Sequence, residues 1–227
     1  FFFITESELA SVIGHEISHV TQRHLARRLE AQSKSQTLTT AGMISGILLA
    51  LVNPSIGMAA LTTSMAASQQ SSINFTRGNE KEADRVGITL LANSGFDPQG
   101  APDFFGKMAE KYRYKSKPPA MLLTHPVPES RIAEARIRAH GLEARRLAPN
   151  LNFALAKARI QARYESTPDT NIFKFTDDFN KQKYTYKEAV KYGLALAHFE
   201  NKDYKEAKTI LEALIAEDKN NLFYADA

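Results

Sequence analysis

The segment His15-Glu16-Ile17-Ser18-His19 constrains this chain more than any other, because its spacing carries chemistry only on a helix. Residues four apart on an α-helix share a face, one turn from each other, so both imidazoles can reach a single metal ion. The glutamate between them sits on the adjoining edge, where it can hold and deprotonate a metal-polarised water. The flanks support a helix: Thr5 followed by Glu8 is a capping box, and Leu9, Ile13, Ile17 and Val20 recur at helical spacing. That apolar row points away from His15, Glu16 and His19. It is expected to anchor in the core while the opposite side presents ligands to a cleft.

Zinc used in hydrolysis takes three protein ligands and leaves one position open, so a third donor is needed. Asn79-Glu80-Lys81-Glu82-Ala83-Asp84-Arg85 offers two glutamates. Asn79 is expected to cap a helix with Glu82 three residues on, which gives Glu82 a local role on the wet side with Arg85 and Thr89. Glu80 shares a face with Ala83, Asp84, Gly87 and Leu91, where a carboxylate is costly unless something such as a metal pairs with it. Glu80 is therefore the expected ligand. Asp84, one turn further, is placed to accept from the free ring nitrogen of a ligating histidine. Gly87 would let the two helices approach closely.

Among the other histidines, His24 falls with the apolar face of the first helix and reads as a packed residue. His140, before Gly141 at a helix C-terminus, and His198 read as structural. His125 differs, because it stands in His125-Pro126-Val127-Pro128, a stiff turn whose prolines hold extended geometry suited to aiming a side chain at a cleft.

Taken together, His15-Glu16-x-x-His19, Glu80-x-x-Ala83-Asp84 and His125-Pro126-x-Pro128 leading to Arg131 resemble the zinc metallopeptidases related to HtpX and the prenyl-CaaX proteases. The longer run from His15 to Arg27 is similar to the periplasmic, repeat-bearing members of that family. The resemblance implies one Zn2+ ion held by His15, His19 and Glu80, with Glu16 as general base and Asp84 and Arg131 completing the catalytic group. His125 is implied as a regulatory fourth ligand that occupies the water position and keeps the enzyme latent. The resemblance further implies a periplasmic zinc endopeptidase in outer-membrane quality control, degrading misassembled β-barrel proteins and assisting assembly through its repeats. Its implied partners are the barrel-assembly machinery and the lipopolysaccharide-transport barrel. A second reading, from a different class, is a chaperone-like adaptor whose repeats bind clients and whose zinc site is latent or structural.

The expected fold is mostly α: a zincin-like metallopeptidase domain over 1–146, with a small strand element near its N-terminus, and a tetratricopeptide-repeat domain over 147–227. With 227 residues and 43% hydrophobic content, two cores are affordable. There is no cysteine, so disulfides and thiolate metal sites are excluded. The net charge of +4 comes from interspersed signs without a dense basic tract, which argues against a nucleic-acid partner. The opening Phe1-Phe2-Phe3-Ile4, without an initiating methionine, reads as the tail of a buried strand in a processed or trimmed chain.

Residues 38–67 form an apolar hairpin pattern, with Ala41 to Val52 and Ile56 to Ala67 separated by Asn53-Pro54. Each apolar half is shorter than the roughly 20 residues a bilayer span needs. Packing inside the protein is the first reading. A lid or peripheral membrane contact beside the active site is the second. Ser68 to Ser72 is polar and reads as a mobile stretch. Helices are expected to start at Asp97-Pro98 and to run from Pro128 to His140, with Pro118-Pro119 closing a region and Gly141 to Asn150 forming the boundary. Beyond it, Leu194, Ala195, Ala207, Leu211 and Leu214 fall at the packing positions of a 34-residue helical repeat, with Lys202 to Ala207 as its turn. Asn152 to Tyr164 reads as a further helix of the array.

Overall fold

A computed structural model describes residues 5–113, 125–145 and 147–227. These residues are mostly helical and include no strand; the expected strand at Phe1 to Ile4 and the break at Pro118-Pro119 lie outside them. They divide into two compact units on either side of residue 146.

In the first unit, α1 (Glu6–Thr21), α2 (His24–Val52) and α3 (Pro54–Asn93) are followed by α4 (Gly100–Tyr112) and α5 (Glu129–His140). Thr5 caps α1 by accepting from Glu8 N at 3.2 Å. The Glu8 carboxylate turns inward instead of completing the box, and pairs with Lys107. The apolar row expected to anchor α1 does not do so: Ile13, Ile17 and Val20 are 51%, 44% and 77% exposed. The buried face carries Ser7, Ser11, Gly14, His15 and Ser18. Ser11 and Ser18 return their hydroxyls to the carbonyls of Glu8 and Gly14, both at 2.7 Å, so their burial leaves no orphan group. The reason for the reversal is steric. Donors on α1 and α3 can converge on one ion only if the helices meet closely, and small side chains allow this where isoleucines do not.

Two local expectations about α3 also fail. Asn79 is not a helix cap, because α3 is continuous over forty residues, and Ser68 to Ser72 lies within it. The true N-cap is Asn53, whose side chain accepts from Ser55 N and Ile56 N. Asn53 also separates α2 from α3, so the predicted hairpin is present but is not buried inside the unit. Leu51 and Val52 at its tip are 80% and 86% exposed. α2 runs unbroken for 29 residues, long and apolar enough to cross a membrane, although each apolar run alone is too short. α4 begins at Gly100 instead of Asp97, whose carboxylate caps the preceding turn through Gln99 N. Ile88, Ala101, Phe104, Phe105, Met108 and Ala135 form a core where α3, α4 and α5 meet.

The second unit comprises α6 (Leu151–Tyr164), α7 (Pro168–Asn180), α8 (Lys187–Glu200), α9 (Tyr204–Glu217) and the short α10 (Leu222–Ala225). Its core gathers Leu155, Ala158, Phe175, Tyr192, Leu196 and Leu214. Ala195 and Ala207 are buried, and Leu194 and Leu211 pack against the same core. α7 is announced only by Thr167-Pro168 and does not stand out by periodicity.

Candidate metal centre

The donors come from three separate elements. α1 supplies His15 and His19, α3 supplies Glu80, and the turn before α5 supplies His125. Their ligand atoms all lie within 4.8 Å of one another. His15 Nε2 is 2.9 Å from His19 Nε2 and 3.4 Å from His125 Nδ1. Glu80 Oε2 is 3.4 Å from His15 Nε2, and Oε1 is 3.3 Å from His19 Nε2 and 2.9 Å from His125 Nδ1. A tetrahedron with the 2.0–2.1 Å bonds of zinc to imidazole and carboxylate has edges of about 3.3–3.4 Å. The five separations above, 2.9–3.4 Å, lie at or just under those edges, and the whole set spans no more than 4.8 Å, so the residues fit one zinc ion.

The close crossing of α1 and α3 that permits this depends on two glycines. A Cβ on Gly14 would stand 3.2 Å from Gly87 O, and one on Gly87 would stand 3.1 Å from Gly14 C and from the N and Cα of His15. The sequence pattern singles out Gly87 but not Gly14.

Behind the donors lies a second layer. Asp84 Oδ1 is 3.0 Å from the fully buried His15 Nδ1, an ion-pair contact set off the line of a well-formed hydrogen bond. Arg131, 4% exposed, donates from Nε and Nη2 to the two Asp84 oxygens at 2.7 Å each. Its Nη1 donates to Glu80 Oε2 at 2.9 Å and to Pro126 O at 2.6 Å. One guanidinium thus holds two carboxylates and the turn that carries His125. Asp84 pairs with neither Lys81 nor Arg85, the intrahelical alternatives. Asp84 and Arg131 support the donors; they do not join them.

Charge in the cluster is strongly coupled. Burial pulls the His15 imidazole down, but Asp84 and Glu80 outweigh it and raise it to about 9. Burial pushes Glu80 up, yet hydrogen bonds from the three imidazoles and the charge of Arg131 hold it far below the usual carboxylate range. Asp84 is likewise held low, with burial opposed by His15 and Arg131. The donors therefore call for positive charge at their centre, which protons or a divalent cation can supply.

Glu16 stands apart at the rim, half exposed, with its carboxylate 3.8 Å from His125 Nε2. His24, read from the sequence as a packed histidine, is buried but faces the site: its Nδ1 is 2.9 Å from His19 Nδ1. Its Nε2 is 3.2 Å from Glu82 Oε2, and Arg27 donates to that oxygen at 2.8 Å. Arg27 holds the Glu82 carboxyl below its ordinary value. Helical projection from His15 could not place His24 here, because the helix breaks between them.

Helices presenting His-Glu-x-x-His and a downstream glutamate to one centre define a metallopeptidase architecture. The chain belongs to peptidase family M48, whose pattern it matches over residues 3–139. It is 47% identical over 221 residues to the Beta-barrel assembly-enhancing protease of Escherichia coli, covering 97% of this chain and 45% of that protein. The protein of the same name from Yersinia pestis is 45% identical over 221 residues, covering 97% and 46%. Metalloprotease LoiP of Escherichia coli is 28% identical over 136 residues, covering 60% of this chain and 50% of the relative. The chain spans just under half the length of the Beta-barrel assembly-enhancing proteases it matches.

Proposed function

We propose that this chain carries the catalytic centre of a zinc metalloendopeptidase, with His15, His19 and Glu80 as constant ligands and His125 as a removable fourth. The observation that carries the reading is the convergence of these four donors, from three separate elements, to within 4.8 Å of one another. Zinc, when bound, supplies Lewis acidity toward a scissile carbonyl and toward water. The Glu16 carboxylate accepts the proton of the attacking water and delivers it to the leaving amine. Asp84 and Arg131 hold His15 and Glu80 in register, which keeps the donors pre-organised. His125 contributes Nδ1 to the cluster while its Nε2 faces Glu16, so its withdrawal would free both a coordination position and the base. This arrangement is the latent form of the enzyme.

The names of the relatives support placing this activity in β-barrel assembly; in this reading the barrels are those of the outer membrane and the enzyme works in the periplasm. Substrates in this reading are misassembled barrels, and the partners are the barrel-assembly machinery and the lipopolysaccharide-transport barrel. α8 and α9, a helix pair packed through Ala195, Ala207 and Leu214, support reading the second unit as tetratricopeptide-like and as the client-binding part. The uncharged, exposed tip of the α2–α3 hairpin supports a peripheral membrane contact within residues 38–67. The test is Glu16→Gln with metal analysis and cleavage of an unfolded outer-membrane protein. The variant retains one zinc and loses cleavage; parental cleavage by it would refute the assignment.

A further inference from the structure

His24 is a buried imidazole beside the donors with no part in the ligand set or in proton transfer. We propose that His24 and Glu82 form a positioning relay that fixes the tautomer and ring orientation of His19, so that its Nε2 lone pair faces the metal. The inference rests on the reading of His19 as a ligand.

The chemistry follows from the order of donors and acceptors. An ionised Glu82 only accepts, so the His24 nitrogen beside it, Nε2 at 3.2 Å, carries the proton. A neutral His24 then offers Nδ1 as an acceptor. The atom 2.9 Å away, His19 Nδ1, must donate, which leaves the lone pair of His19 on Nε2. That nitrogen is the one 2.9 Å from His15 Nε2 and 3.3 Å from Glu80 Oε1. Arg27 steadies the outer end by donating to Glu82 at 2.8 Å.

The backbone is bent to make this contact. Side chains five residues apart on an unbroken helix diverge by about 140°, so His19 and His24 could not touch there. α1 ends at Thr21, and Arg23 adopts a left-handed conformation, φ 54° and ψ 38°, before α2 begins at His24. An arginine adopts that conformation at a cost, which makes the break a feature to be explained. Its result is an imidazole delivered edge-on to the back of a metal ligand, with ring centroids 4.8 Å apart. The two ligands of α1 are thus supported differently. His15 rests directly on a buried carboxylate clamped by Arg131, while His19 is reached through a neutral ring from a carboxylate near the surface.

The experiment measures zinc affinity of the full chain by competition with a chromophoric chelator, together with the absorption spectrum of the Co2+-loaded protein. His24→Phe fills the space without an acceptor; His24→Asn returns an acceptor near the position of Nδ1. The expected result is an affinity loss of about 10–100-fold in His24→Phe, the usual range for removing such a partner, with shifted Co2+ bands and substantial recovery in His24→Asn. Glu82→Met, at a partly exposed position, loses affinity in the same direction and carries the test if His24→Phe does not fold. Parental affinity and spectrum in His24→Phe or Glu82→Met overturn the relay, as does His24→Asn impaired to the same degree as His24→Phe. A parental chain that binds no zinc overturns the metal-site reading and the relay with it.

Discussion

The close crossing of α1 and α3 gives a quantitative prediction. Gly87→Ala places a methyl 3.1 Å from three backbone atoms of α1, two of them belonging to His15. Carbon contacts settle near 3.5–4.0 Å, so α1 and α3 must part by about 0.4 Å or more. None of the three atoms can rotate away, and overpacking of this kind costs about 1–3 kcal/mol. Metal–donor distances tolerate only about 0.2 Å, so the zinc-bound state bears more of the strain than the chelated one. An excess of about 1.4 kcal/mol is a tenfold loss of zinc affinity. Gly78→Ala is the internal control: it lies on the same helix, its added methyl meets nothing within 4 Å, and it should stabilise by about 0.5–1 kcal/mol. Urea unfolding with and without chelator, and zinc competition, measure both quantities. The reasoning fails if the two variants behave alike, or if Gly87→Ala binds zinc as tightly as the parent.

Two further substitutions probe the layer behind the donors and the fourth ligand. Arg131→Met leaves Asp84 and Glu80 without their buried counter-charge and should cost about 3–5 kcal/mol in urea unfolding of the chelated chain. A loss under about 1 kcal/mol, the scale of an exposed pair, would show that the guanidinium is not a clamp. His125→Ala should raise basal proteolysis while zinc content stays at one per chain. Unchanged or lower activity with zinc retained would count against the latch.

The sequence and the structure agree best where chemistry, not hydrophobicity, selects the residue. His15 and His19 follow from helical spacing, and Glu80 was preferred to Glu82 because a carboxylate among Ala83, Gly87 and Leu91 needs a partner. The structure places Glu80 buried beside His15 and His19 although one premise, the cap at Asn79, is mistaken, since burial alone separates it from Glu82. Hydrophobic periodicity misled on α1. Ile13, Ile17 and Val20 imitate a core face, but the requirement for close helix approach gives the interior to serines and Gly14. His24 was illegible for a different reason: its placement depends on a left-handed arginine, which no periodic pattern announces. The α2–α3 hairpin was legible as a hairpin through Asn53-Pro54, and illegible as to burial, because composition alone cannot say what an apolar helix faces.

X-ray absorption at the zinc edge of the purified chain tests the central claim most directly. One zinc per chain is expected, bound by three imidazole nitrogens and one carboxylate oxygen at about 2.0–2.1 Å, with one imidazole lost in His125→Ala. No stoichiometric zinc, or a sphere unaltered by His125→Ala, would contradict the four-donor site.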